Sequence, residues 1–136
     1  MRKENIINLS VFILRLMIGI IFTMHGAQKL FGMFNGIGLE GTAKMIEGLG
    51  FLYNPYLIAK IWAIVEFVGG LCLIFGILTR LAAAVVMISV IVFMYKASAV
   101  YGFYLQEENF ENYLLVIGSC FSIVLLGGGN WSLWDV

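Results

Sequence analysis

The sequence predicts an all-α protein, an integral membrane four-helix bundle with a short interfacial helix between its first two spans. Three observations carry this. Of 136 residues, 62% are hydrophobic and only 12% are charged, roughly half the charged share of an ordinary soluble domain. The mean hydropathy is +0.99. The apolar residues gather into four long runs, to be compared with the roughly 20 residues a helix needs to cross hydrocarbon. Lys plus Arg balances Asp plus Glu at 8 each, so no basic surface for nucleic acid is expected. One domain covers residues 1–136.

The opening, MRKENIINLSVFILRLMIGIIF, has a short basic head like that of a signal peptide. Its apolar part is too long for a signal core and no small-x-small site follows, so it reads as a retained first span, about Leu9 to Phe31. The next stretch, FGMFNGIGLEGTAKMIEGLGFLYNPY, is too apolar for a solvated loop. Leu39, Ala43, Ile46 and Leu49 recur at helical spacing, with Glu40, Lys44 and Glu47 elsewhere around the turn. That pattern predicts a short helix lying in the interface.

Pro55 then suits the first turn of the second span, Tyr56 to Leu78, with Tyr53 and Tyr56 at headgroup level. LTRL, Leu78 to Leu81, leaves room only for a tight hairpin before a third span, Leu81 to about Tyr101, interrupted by Lys96. The fourth, from near Glu111 to Leu126, is short and must cross with little tilt. Arg2, Lys3 and Arg80 mark one side as cytoplasmic, with Lys44 opposite, which places both termini in the cytoplasm. The expected location is the cell membrane, multi-pass.

Ionisable groups inside a bilayer need a partner or a watery cavity. Helix rise sets their levels: Lys29 about 3 Å, His25 about 9 Å and Arg15 about 24 Å below the outer end of the first span, and Glu66 about 15 Å down the second. Arg15, His25 and Lys29 form one polar stripe, which must face the bundle. Trp62, Glu66, Gly69, Gly70 and Leu73 share a face of the second span, and the glycines admit close approach of another backbone. Packing that face on the stripe brings Glu66 to Arg15, to His25, or to both.

Two readings stand for each group. Arg15 with Glu66 is either a buried ion pair that sets helix register or a site for the polar part of a membrane-soluble ligand. His25 either packs through a hydrogen bond, or transfers protons or donates to a ligand carbonyl, since histidine titrates near working pH. Lys29 and Lys60 are expected to reach out to the headgroups. Trp62 reads first as packing or an interface anchor.

Several chemistries lack their residues. No His/Cys cluster has zinc spacing, and a single histidine gives haem no support. LLGGGNWSLW lacks the lysine of a phosphate loop. Cys72 and Cys120 stand alone in separate spans without a CxxC, which disfavours thiol–disulfide chemistry and leaves them as small apolar residues.

Three separated motifs carry a resemblance. RLMIGIIFTMHGAQKLFG resembles an arginine followed by a small-residue helix ending in HGxxKLxG; EFVGGLCLIFGILTRLAAA resembles ExxGGLxLxxGxxTRxAA; and ENYLLVIGSCFSIVLLGGGNWSLWD resembles a closing E-hydrophobic-GxGxxSLD segment. Together they resemble the DoxX-like family of small four-helix membrane proteins, nearest in look to its catechol- and quinone-resistance members, described as oxidoreductases. The end departs, with SLWD for SLD, shifting Asp135 by one.

The resemblance implies that Arg15, His25, Lys29, Glu66, Arg80 and Glu111 fall on motif positions. It implies a membrane protein that binds a quinone (menaquinone or ubiquinone) or serves as accessory subunit of a quinone-linked oxidoreductase under redox or catechol stress. His25 and Glu66 would bond to, or exchange protons with, the quinone oxygens. Arg15 would orient Glu66, Trp62 would wall the ring, and Lys29, Arg80 and Glu111 would complete the ligand-binding set. Electrons would come from a bound cofactor or a redox partner protein. A homodimer is compatible with four helices that enclose little space. The alternatives are a small transporter or channel for aromatic or other hydrophobic compounds, with the polar stripe lining a path, and a purely structural membrane subunit.

Overall fold

A computed structural model describes residues 2–33, 35–48, 54–101, 107–130, 132 and 133, as backbone alone over 97–101 and 107–111. Five α-helices and no strand occur among them: α1 (Lys3–Phe31), α2 (Gly38–Gly48), α3 (Pro55–Phe75), α4 (Thr79–Tyr101) and α5 (Glu107–Leu126). Within them, Lys3–Phe31, Pro55–Phe75 and Thr79–Lys96 are long and apolar enough to cross a membrane, and Asn112–Leu126 is a shorter apolar run. The chain is a multi-pass membrane protein in a lipid bilayer.

α1 begins six residues before Leu9, carrying the basic head on its first turns. It ends where Gly32 takes a left-handed φ of 68° and returns its N–H to the Gln28 carbonyl. α2 folds back on α3 and α1, with Thr42 and Ile46 buried and Glu40, Lys44 and Glu47 exposed. Leu49 and Tyr53 lie outside the described residues. Asn54 caps α3, its Oδ1 accepting from the Tyr56 N–H at 3.0 Å, with Pro55 at the first helical position.

The hairpin after α3 differs from the expected LTRL. α3 stops at Phe75 because Gly76 is left-handed, at φ 71°, and Leu78 follows at φ 48°. α4 therefore starts at Thr79 and holds Arg80 in its first turn. The connection is Gly76–Leu78. An α-helical residue cannot occupy that region, and glycine enters it without a Cβ penalty.

α1 and α3 form the main helix pair, α4 joins α3, and α5 packs on α4. Ile18, Phe22, Leu73, Val86, Val90, Cys120 and Ile123 make the shared core. Ile13, Met17, Ile20 and Met24 recur along α1 at steps of three and four and are exposed. In hydrocarbon such a stripe is the lipid face. The cysteines are free: Cys120 is buried in the core and Cys72 half-buried beside it.

Candidate functional site

Glycines set the register of α1 on α3. A Cβ built on Gly26 would stand 2.5 Å from the Phe67 backbone nitrogen. One on Gly70 would stand 2.5 Å from the Thr23 nitrogen and 2.7 Å from the Gly19 carbonyl oxygen. Helices this close are held by direct backbone packing. Gly69 instead faces Val86 of α4.

This register puts Glu66 level with Gly26, one turn below Lys29. Among the described contacts, Glu66 pairs with Lys29 rather than with Arg15 or His25, as the sequence had led one to expect. Lys29 accordingly turns inward, not out to the headgroups. Its Nζ bonds Glu66 Oε1 and stands 3.5 Å from the centre of the Trp62 ring. Trp62 is one turn from Glu66 on α3, so carboxylate and ring face share the ammonium. Glu66 is only 3% exposed; the pair satisfies a charge that the bilayer interior otherwise penalises. Lys60 is exposed, as expected of an outward-reaching side chain.

Arg15 lies eleven residues from Gly26, about 16 Å along the axis, too far to orient Glu66. It is 1% exposed and bonds the other end of α3. Its Nε donates to the Leu73 carbonyl at 3.0 Å, and its Nη1 to the Gly128 carbonyl at 2.6 Å. It satisfies a carbonyl at the α3 C-terminus and ties the segment after α5 to it. Arg80 is exposed at the same end of the bundle, beside Gly127. The Glu111 side chain and Asp135 fall outside what the structure describes.

His25, Lys29, Trp62 and Glu66 line one cavity of about 550 Å³. This lies within the roughly 300–1,000 Å³ range of small-molecule sites. Phe93 from α4, and Asn112 and Tyr113 from α5, complete it, and sequence reasoning had missed all three. Trp62 stacks on Phe93 at 4.8 Å, and Phe93 meets Tyr113 edge-on at 5.8 Å, so one aromatic row spans three helices. Tyr113 had a faint signal, standing beside Glu111 at the head of the fourth span. Phe93 had none, since an aromatic in an apolar helix looks the same whether it packs or lines a pocket.

Two polar features of this cavity stand out. His25 is exposed at its edge, and its ring makes no hydrogen bond among the described residues. The Trp62 Nε1–H is buried and has no acceptor among the described residues. Buried donors are almost always paired, so this N–H is an exception, and it is sealed within the wall rather than open to the cavity. Among the described residues no group of His, Cys, Asp and Glu could hold a metal ion.

Comparison with known proteins bears on the whole bundle. Residues 10–99, from α1 through most of α4, match the family model described as DoxX. A Bacillus subtilis (strain 168) protein bearing the name "Putative oxidoreductase CatD" is 31% identical over 83 residues, covering 61% of this chain and 55% of its own length. The chain thus spans little more than half of that relative. No solved structure matches. With its matched region taking in α1, α3 and the cavity residues they carry, the chain belongs to the DoxX family of membrane proteins.

Proposed function

We propose that the protein binds a quinone within the bilayer and serves a quinone-linked oxidoreductase as its membrane component. The observation that carries this is an amphipathic cavity, where His25, Lys29 and Glu66 face an aromatic row of Trp62, Phe93 and Tyr113. The residues fit such a ring: flat apolar walls for its faces, and donors for its oxygens. The His25 ring at the cavity edge and the Lys29 ammonium on its wall supply the donors. A bound quinone supplies two-electron, two-proton redox chemistry.

The chain's own part is to bind, orient and handle protons. His25 donates to one ring oxygen, or passes it a proton taken up at the cavity edge. Glu66 holds or yields a proton at the inner end, where Lys29 bonds its carboxyl. Electrons come from a partner protein; the Bacillus subtilis relative bears the name of an oxidoreductase. Arg2, Lys3 and Arg80 share one end of the bundle, which the positive-inside rule assigns to the cytoplasm.

The test is quinone binding by purified protein in nanodiscs. Co-purified menaquinone or ubiquinone is extracted and quantified, and a water-soluble analogue is then titrated into wild type, His25→Ala and Glu66→Gln. The expected result is saturable binding that each substitution weakens about tenfold, the value of one charge-assisted hydrogen bond. A well-folded wild type that binds no quinone refutes the proposal.

A further inference from the structure

The cavity wall is unevenly exposed. Glu66, Phe22 and Val90 at its back are buried, whereas its exposed lining residues are Ile21 and His25 on α1 and Asn112 and Leu115 on α5. Leu115 is 71% and Ile21 40% exposed. Among the described residues, α1 and α5 pack far less closely than α1 and α3. The opening therefore lies on one side, between these two helices.

Its level is in the hydrocarbon. Ile21 is ten residues before the end of α1, about 15 Å along the axis and so near the bilayer midplane. Leu115 lies three residues into the apolar run that starts at Asn112. The rim is apolar at Ile21 and Leu115 and polar at His25 and Asn112, nearer the end where α1 stops.

We infer that the cavity opens sideways into the bilayer between α1 and α5, and takes tailed, amphipathic quinones ring first, with the hydrocarbon chain left in the mouth. This rests on the quinone reading and adds the substrate class and the route. Ring oxygens find no donor in hydrocarbon, so moving inward gains them hydrogen bonds. A chain gains nothing by exchanging lipid for protein, since both are apolar. Those two facts orient the molecule. Ile21 and Leu115 then touch the chain and not the ring.

The experiment compares decylubiquinone with the tail-less duroquinone on full-length protein in nanodiscs, in wild type, Leu115→Trp and Ile21→Trp. Both positions lie exposed on the cavity rim and outside the buried core, so the larger side chains disturb no core, and two opposite rims guard against one variant misfolding. The expected outcome is that each substitution weakens decylubiquinone at least about tenfold and leaves duroquinone within about twofold. If both quinones bind wild type and neither variant separates them, the lateral mouth is overturned and the quinone site stands. If neither quinone binds folded wild type, the quinone reading falls and this inference falls with it.

Discussion

Removing the Lys29 ammonium should damage the protein more than removing the Glu66 carboxylate, although the two are partners. Glu66 sits eleven residues inside α3, 3% exposed, on a short side chain with nowhere else to go. Lys29→Met leaves it buried and unpaired, which costs about 3–5 kcal/mol. Lys29 stands two residues from the end of α1 and keeps the Trp62 face when Glu66 is lost. Its flexible stem also lets it turn to the headgroups, so Glu66→Gln should cost only about 1 kcal/mol. The double variant, with no buried charge, should be more stable than Lys29→Met alone, a coupling of about 2–3 kcal/mol. Reversible unfolding in mixed micelles, followed by far-ultraviolet circular dichroism, measures all four proteins. If Lys29→Met is no worse than Glu66→Gln, or the double variant is worse than either, the pair does not neutralise a trapped carboxylate and the reasoning fails.

Three further outcomes follow from particular contacts. Gly70→Val should force α1 and α3 apart and cost about 1–3 kcal/mol or more, whereas Gly118→Ala, with nothing within 4 Å of its Cβ, should be neutral or stabilising by about 1 kcal/mol; thermal midpoints in detergent compare the two. Arg15→Met should lose about 1.5–3 kcal/mol for each charged hydrogen bond to Leu73 and Gly128. Hydrogen exchange should then quicken around 127–130 while quinone affinity holds, which separates an end-of-helix tie from a ligand contact. Trp62→Phe keeps an aromatic wall and removes a sealed N–H that has no acceptor among the described residues, so folding stability and quinone affinity should both hold within about twofold; a loss of about tenfold would mean that the side chain turns to meet a ligand oxygen.

The motif positions cluster only in part. His25, Lys29 and Glu66 come together with Trp62 at one cavity, while Arg15 and Arg80 serve the opposite end of the bundle. HGAQK and ExxGG were therefore legible as a polar cluster, because buried charge in an apolar helix demands a partner. RL and TR looked the same by that criterion and proved to lie beside helix ends. A guanidinium satisfied by carbonyls cannot be told in sequence from one satisfied by a carboxylate.

Hydropathy alone determined the class of protein and its all-helical build, since each is a property of one segment against lipid. The tertiary structure decided what depends on two segments at once. A shift of α1 on α3 by a few residues moved Glu66 from between Arg15 and His25 to Lys29, and that shift is set by backbone contact at Gly19, Gly26 and Gly70. Helix ends read from sequence carry an error as large as that shift. The cavity itself needed α4 and α5, whose Phe93 and Tyr113 acquire a role only from the helices they are packed against.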